Sequence, residues 1–162
     1  MTRSDVRIEP ARRGDLDEIE EILSGAARWL RERGIDQWPD PFPRARVDES
    51  FASGDLYVAR VDGVIAATFT LQWEDELFWG PQPPVAGYIH AVAVRREHAG
   101  LGRELIDWAA GAVRNKGRTY LRLDCMRNNP RIRDYYEALE FRHRGDTVVG
   151  GHFEASLYER PV

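Results

Sequence analysis

The segment YIHAVAVRREHAGLGR, residues 88–103, decides how the rest of this sequence is interpreted. Residues 88–94 are rich in apolar and β-branched side chains, so they predict a buried strand. Gly100 and Gly102 then lie in a turn, and apolar residues follow at helical spacing until about Gly117. Because the first turn of a helix presents unpaired N–H groups, this order of elements indicates a place where a phosphate can bind.

Taken alone, the glycine turn has two interpretations. Gly100 and Gly102 can simply allow a tight connection between strand and helix, or they can let the backbone approach a diphosphate, with Arg103 adding a charged contact. A dinucleotide-binding fingerprint requires a third glycine where Leu105 stands, and a phosphate loop of the Walker type requires Gly-Lys-Ser or Gly-Lys-Thr. The sequence contains neither of these, so the turn by itself leaves both interpretations open.

The remaining sequence alternates between strand and helix patterns. A hairpin is predicted at Asp62-Gly63, and the proline-rich segments 37–46 and 74–84 are predicted to be loops. Single strands separated by helices, together with hairpins, predict an α/β fold with a mixed sheet and helices on its faces, in one domain over residues 1–162. The predicted strands are 6–9, 56–61, 64–71, 88–94, 120–125, 141–149 and 152–158; the predicted helices are 16–33, a short turn at 47–52, one from the glycine turn to about 117 and one opening at Asn129-Pro130.

Composition excludes several classes of protein. The 162 residues contain 23 basic and 27 acidic side chains, and the resulting net charge of −4 disfavours general binding of nucleic acid. A single cysteine, Cys125, cannot form an internal disulfide, and in a strand it is expected to be a buried thiol. The sequence lacks a secretion signal and any run of about 18 apolar residues, so we expect a cytoplasmic protein with no membrane segment.

Two blocks of this sequence resemble the GCN5-related N-acetyltransferase (GNAT) superfamily. Residues 97–102 resemble its acyl-CoA motif, Gln/Arg-x-x-Gly-x-Gly/Ala, with Glu97 at the first position. Residues 129–141 resemble its later motif, in which Asn is followed seven residues on by Tyr136 and then by Leu-Gly-Phe, with Glu140 in place of the glycine. The order of the elements agrees as well. The resemblance implies a GNAT-like acyl-CoA N-acyltransferase fold with a central splayed mixed β-sheet.

The resemblance also implies a binding mode for acetyl-CoA, the acyl donor. The cofactor would lie between strands 88–94 and 120–125, with its pantetheine chain paired to the backbone of the first. No metal is implied, and the four histidines and one cysteine lack the spacing of a metal site. The residues implied to contact the cofactor are Val92 and Val94 in the strand, Ala99, Gly100, Leu101, Gly102 and Arg103 in the turn, and Asn129 on the opposite side.

The implied reaction is direct attack of a neutral amine on the thioester. Tyr136 matches the family's general acid, which protonates the departing sulfur, whereas Tyr135 is expected to pack. His90 can titrate near neutral pH and is a candidate base, although a half-buried structural histidine and a water molecule in place of a base are open alternatives. The acidic residues 74–76 can attract a cationic amine or can be a solvated loop.

Aromatic residues of the first half are candidates for the acceptor site. Trp29, Trp38 and Trp73, with Glu74, would suit a cationic amine that has an apolar body, although these tryptophans can also be core residues. The acceptor can be an amino acid, a polyamine, an antibiotic or a protein N-terminus. A sensor of the same fold that binds acyl-CoA without turnover is the alternative function, and the family suggests pairing of protomers through the C-terminal strands.

Overall fold

The computed structural model describes residues 5–162, and within them the predicted order of elements is confirmed, with the short turn at 47–52 extended to a helix and one further short helix added. None of the helices in this range is long and apolar enough to cross a membrane. The strands are Val6–Pro10 (β1), Leu56–Val61 (β2), Val64–Gln72 (β3), Ala86–Val94 (β4), Tyr120–Met126 (β5), Arg142–Val149 (β6) and Phe153–Pro161 (β7). The helices are Leu16–Arg31 (α1), Arg44–Ala52 (α2), Glu76–Trp79 (α3), Gly102–Asn115 (α4) and Pro130–Ala138 (α5).

The seven strands form one mixed sheet in the order β1-β2-β3-β4-β5-β7-β6. β4 and β5 are parallel, whereas β1–β2, β2–β3, β5–β7 and β6–β7 are antiparallel. The predicted α/β class with a mixed sheet is therefore confirmed, while the single domain over residues 1–162 stays a prediction. Two compact units share the chain: residues up to Leu71 with Ala91–Leu105, and Gln72–His90 with Ile106–Val162.

The first unit is organised around a hairpin and α1. Asp62 and Gly63 have φ values of 53° and 84°, as both central residues of a type I′ turn require, so the hairpin prediction is confirmed. α1 buries Ile19 and Leu23 against Val58 of β2, in one apolar cluster. Burial of each such side chain contributes about 1.5–3 kcal/mol. α1 ends at Arg31, two residues before the predicted end at 33.

Two helices lie partly or wholly in segments predicted to be loops. α2 begins at Arg44 because Pro43 directly precedes its first turn, where proline costs no hydrogen bond. α3 is a single turn within 74–84, and its first N–H groups are capped by Asp75, whose Oδ1 accepts from the amide of Phe78 at 3.2 Å. A helix of four residues is too short to show apolar periodicity, and the capping residue Asp75 is therefore the one feature of the sequence that indicates it.

In the second unit, the pairing between β4 and β5 is short. Its register joins 86–88 to 120–122 and ends there, although β5 continues to Met126 and pairs with β7 over its whole length. His90 and Asp124 therefore lie two residues beyond the last paired residues of their strands, Tyr88 and Arg122. Side chains two apart share a face of a strand, so these two meet where hydrogen bonding between the strands has stopped.

The end of α5 explains one departure from the family motif. Glu140, which replaces the usual glycine, has φ 71°, a left-handed conformation that favours glycine. The amide of Phe141 donates to the carbonyl of Tyr136 at 3.0 Å and closes the helix end. The motif's glycine therefore serves a backbone turn, and this chain adopts the same turn at a conformational cost.

We expect Glu140→Gly to raise the free energy of unfolding by about 1 kcal/mol, because it removes the left-handed strain of a non-glycine residue. Urea unfolding of the two proteins measures the difference. Glu137→Gly, inside α5, is the matched control and should lower stability by about 1 kcal/mol. Equal destabilisation by both substitutions would contradict this account of the turn.

Candidate active site

In the first unit, Arg95 fixes the point where β4 gives way to the glycine turn. Its amide donates to the carbonyl of Ala66 at 2.8 Å and its Nε to that of Ile65 at 2.9 Å, both on β3. Its guanidinium also contacts the Glu18 carboxylate of α1 at 3.0 Å. Residues 96–98 then form one 3₁₀ turn, so the glycine turn starts from a rigid support.

The glycine turn presents three open backbone donors. The amides of Ala99 and Leu101 donate to carbonyls of the preceding 3₁₀ segment, at 3.3 and 3.1 Å. Within residues 5–162, the amides of Gly100, Gly102 and Arg103 have no such acceptor, because the latter two residues open the 14-residue helix α4. Gly100 has φ 100°, which only glycine adopts easily. Of the five predicted phosphate contacts, Gly100, Gly102 and Arg103 therefore offer open amides, whereas the amides of Ala99 and Leu101 bond within the turn; the contacts themselves stay predictions.

In the second unit, His90 lies between two carboxylates; we refer to Asp75, His90 and Asp124 as the His90 cluster. Nε2 of His90 lies 2.9 Å from Oδ2 of Asp75, and Nδ1 lies 3.1 Å from Oδ1 of Asp124. The His90 side chain is 19% exposed, that of Asp75 is 5% exposed and that of Asp124 is 12% exposed. The oxygens lie off the ideal directions of the ring N–H bonds, so the contacts are ion pairs more than ideal hydrogen bonds.

The electrostatics of the cluster hold a proton on His90. Burial alone lowers the pKa of an imidazole, but the contacts with Asp124 and Asp75 outweigh it and raise the pKa of His90 to about 9. His90 is therefore an imidazolium at neutral pH. Among the acidic residues 74–76, Glu74 is exposed and Asp75 is the one that points inward, so the placement of Glu74 at the acceptor site stays a prediction.

The three residues offer metal-ligand atoms within 4.8 Å of one another. One ion can be bound by only one ring nitrogen, yet each carboxylate here approaches a different nitrogen of His90. This arrangement suits a shared proton better than a shared cation.

The raised pKa of His90 predicts how stability depends on pH. Because the folded pKa lies near 9 and the ordinary value is 6.5, the stabilisation is complete below about pH 6.5 and is lost as the pH rises through 9. We expect urea unfolding to show a decrease of about 3 kcal/mol over this range. In His90→Gln this part of the decrease should be absent, and identical pH profiles of the two proteins would contradict the clamped imidazolium.

α5 carries the two motif residues of the second block. Asn129 caps the helix, its Oδ1 accepting from the amide of Ile132 at 3.3 Å, and the side-chain NH₂ remains the group suited to a ligand. The ring of Tyr136 packs edge-on against Phe141, with centroids 5.7 Å apart. Tyr135 is 42% exposed, so the prediction that Tyr135 is the packing residue of the pair is wrong.

Two further groups near α5 keep their protons. Burial, with smaller contributions from Cys125, Tyr135 and Asp124, raises the pKa of Tyr136 above its usual range. Its hydroxyl is therefore fully protonated at neutral pH, as a proton donor must be. Burial likewise raises the pKa of the Cys125 thiol to about 12, which makes it a poor nucleophile and confirms the predicted buried thiol.

The three candidate tryptophans are engaged by the protein itself. Trp38 packs edge-on against Phe42, at 5.9 Å, beside the apolar cluster of the first unit. Trp29 carries the guanidiniums of Arg33 and Arg96, 3.7 and 3.8 Å from its ring centroid. In the second unit, the Trp73 ring packs so closely on the backbone of residue 87 that an added Cβ there would lie 3.1 Å from it. These contacts favour packing roles over a wall of the acceptor site.

Sequence reasoning missed two charged residues of β5. Asp124 completes the His90 cluster, and Arg122, only 6% exposed, contacts Glu159 at 2.9 Å and the Tyr88 hydroxyl at 3.0 Å. The Arg122 guanidinium also lies 4.6 Å from the ring of Trp79, at the end of α3. Charged residues that alternate with leucines in one strand were the available signal, because burial of a charge requires a partner.

The mixed sheet contains a strand that passes through an open-amide glycine turn into a helix, followed by a strand and an Asn-capped helix that carries Tyr136. This is the arrangement that an acyltransferase of the predicted fold requires. The family model described as the acetyltransferase (GNAT) family matches residues 18–141, and the chain belongs to this family. The predicted family and enzyme class, an N-acetyltransferase, are confirmed.

Relatives and solved structures agree with this assignment. An uncharacterized N-acetyltransferase of Bacillus subtilis, YesJ, is 28% identical over 94% of this chain and 88% of its own. The crystal structure of a GNAT-family acetyltransferase from Listeria monocytogenes has a TM-score of 0.81 at 22% identity, covering 97% of this chain and 95% of that one. A putative acetyltransferase from Salmonella typhimurium, yncA, determined with its cofactor acetyl-CoA, has a TM-score of 0.68 at 18% identity, with 98 and 94% covered.

Proposed function

We propose that this protein transfers the acetyl group of acetyl-CoA to a primary amine by direct attack. The observation that carries the proposal is the set of open amides at Gly100, Gly102 and Arg103, which suits the diphosphate of coenzyme A. The other proposed contacts, which the family resemblance implies, are the backbones of Val92 and Val94 and the side-chain NH₂ group of Asn129. The acetyl-CoA in the Salmonella structure supports this choice of donor.

We expect isothermal titration to show selective binding of acetyl-CoA over ATP and NAD. Gly100→Ala should weaken binding by about tenfold or more, because a side chain at φ 100° distorts the turn that presents the amides. Gly54→Ala is the matched control: its φ of 75° is also left-handed and its surroundings are open, but it lies outside the turn. Equal binding of all three ligands, or equal effects of the two substitutions, would reject the cofactor site.

The reaction has two proton transfers to manage. As the C–N bond forms and the C–S bond breaks, the attacking amine loses a proton and the CoA thiolate gains one. We propose that Tyr136 donates its hydroxyl proton to the sulfur. We propose that His90 accepts the amine proton in those molecules in which the imidazolium has first released a proton to solvent. Each such transfer by a positioned group contributes about 10²–10⁴-fold in rate.

Tyr136→Phe should leave the affinity for acetyl-CoA unchanged and lower turnover by about 10²-fold or more, because the thiolate then departs unprotonated. Thiol release from acetyl-CoA, followed with a panel of primary amines, measures turnover. Tyr135→Phe, one residue away and 42% exposed, is the control and should retain activity. Similar losses in both variants would argue against a proton donor at 136.

A sensor that binds acyl-CoA without turnover is the alternative. The observation in its favour is Glu97, an exposed acid where the family places Gln or Arg before the glycines. Absence of turnover in the wild-type protein with every amine of the panel, together with tight acetyl-CoA binding, would establish this alternative.

A further inference from the structure

We propose that Arg96, stacked on the ring of Trp29, binds the 3′-phosphate of acetyl-CoA and makes the protein prefer acetyl-CoA to its 3′-dephospho form. The inference rests on the cofactor of the proposed function. It adds a contact for a group of the cofactor that the open amides of the glycine turn do not serve. The observation that carries it is a pair of guanidiniums held on one indole ring in the first unit.

Trp29, near the end of α1, holds two arginines at once. The Cζ atom of Arg33 lies 3.7 Å from the centroid of the Trp29 ring, and that of Arg96 lies 3.8 Å from it. Guanidiniums this close to an indole are held there by cation–π attraction. The two positive charges are therefore less than about 10 Å apart, which is the Debye length at 0.1 M salt, so they repel each other. An anion that contacts either guanidinium relieves this repulsion.

The charge of Arg96 is available to a ligand. The side chain is exposed, and among residues 5–162 no carboxylate lies within 4.0 Å of its guanidinium. The neighbouring Arg95 differs, since its guanidinium is committed to the carbonyl of Ile65 and to the carboxylate of Glu18. One arginine of the pair 95–96 therefore supports the fold, and the other presents its charge beside the turn.

Arg33 is bound only weakly by an acid. Its nearest carboxylate is that of Glu32, at 4.0 Å, and both side chains are about half exposed or more, at 46 and 65%. One of its N–H groups donates to the carbonyl of Trp29 at 3.0 Å, which keeps the guanidinium on the indole. Arg33 thus adds positive potential to the position of Arg96 without competing for the same partners.

The position of Arg96 in the chain places it beside the proposed diphosphate site. Arg96 opens the 3₁₀ turn that leads into the glycine turn, four residues before Gly100. A fully extended chain spans four residues in about 13 Å, and a 3₁₀ segment rises only about 2 Å per residue, so the two backbones are closer than that. A phosphate on the same ribose as the diphosphate therefore lies within reach of the Arg96 side chain.

The 3′-phosphate of coenzyme A has the chemistry that this arginine suits. A phosphomonoester carries about 1.5–2 negative charges at neutral pH and has three acceptor oxygens. The planar fork of a guanidinium matches two of these oxygens at once. Because Trp29 already holds the Arg96 guanidinium, little side-chain freedom is lost when the phosphate binds. Trp29 is thus a positioning residue for Arg96.

Isothermal titration with acetyl-CoA and with 3′-dephospho-acetyl-CoA tests the contact. We expect the wild-type protein to bind acetyl-CoA about tenfold more tightly than the dephospho form. Arg96→Gln should lower the affinity for acetyl-CoA by about tenfold and leave that for the dephospho form unchanged. Arg13→Gln is the matched control, because it also removes an arginine that lies over an aromatic ring of the first unit, 5.4 Å from that of Phe51. It should keep the wild-type preference.

The positioning role of Trp29 has its own test. Trp29→Leu removes the indole and leaves Arg96 in place, so the preference for acetyl-CoA should fall, and adding Arg96→Gln should then have a smaller effect than it has in the wild type. Affinity for the dephospho form, which needs neither residue, should remain and reports that the variant is folded. A full preference in Trp29→Leu would overturn the positioning role.

The remaining outcomes separate this inference from the proposed function. Equal affinities of the wild-type protein for the two cofactors, or equal losses for both in Arg96→Gln, would overturn the 3′-phosphate contact and leave acetyl transfer, which thiol release measures, intact. Preferential binding of acetyl-CoA without turnover of any amine would reject acetyl transfer and support the contact. No binding of acetyl-CoA would reject both.

Discussion

The early end of the pairing between β4 and β5 is the constraint on which the second unit depends. After Tyr88 and Arg122 the two strands no longer exchange hydrogen bonds in that unit, and directly after His90 the chain adopts φ 50° at Ala91, a conformation that costs a non-glycine residue about 1 kcal/mol or more. Had the ladder continued, the side chains at 90 and 124 would be fixed as ordinary cross-strand neighbours. Instead, the side chains of His90 and Asp124 contact each other where the backbone hydrogen bonds between β4 and β5 have ended.

Left-handed backbone conformations at two positions, Gly100 and Glu140, account for two features of the family motifs. The left-handed conformation at Gly100 turns the chain so that the first amides of α4 remain open, and the left-handed conformation at Glu140 closes α5 behind Tyr136. The first requires glycine because of its φ of 100°, whereas the second tolerates a strained residue on an exposed turn. This difference explains why the sequence keeps the glycine at one position and departs from the motif at the other.

Sequence patterns predicted the elements of the fold far better than the chemistry of the site. The hairpin at Asp62-Gly63 and the helix opened by Asn129-Pro130 follow from local turn and cap preferences, which neighbouring residues alone decide. The partners of His90 come from two segments that are distant in sequence, and a strand position such as 124 gives no sign of which histidine it will meet. The tryptophans were a poor guide to the acceptor site because an indole ring suits a packed core as well as the wall of a ligand site. Its presence in the sequence therefore does not distinguish the two roles.

The protonation states of Tyr136 and His90 at neutral pH bear on the two proton transfers of the proposed reaction. Burial keeps the Tyr136 hydroxyl protonated, which is the state that a donor to the thiolate needs, and the carboxylates keep His90 protonated, which is the state that a base must leave. The proposed acid is thus protonated at every physiological pH, while the proposed base is available only in the small fraction of molecules that have lost the imidazolium proton. The two carboxylates outnumber the single charge of the imidazolium, so the cluster carries a net negative charge that favours a cationic amine nearby. In the proposed reaction one charge arrangement therefore both favours a cationic acceptor and sets the protonation state of His90, so that removal of either carboxylate must alter both.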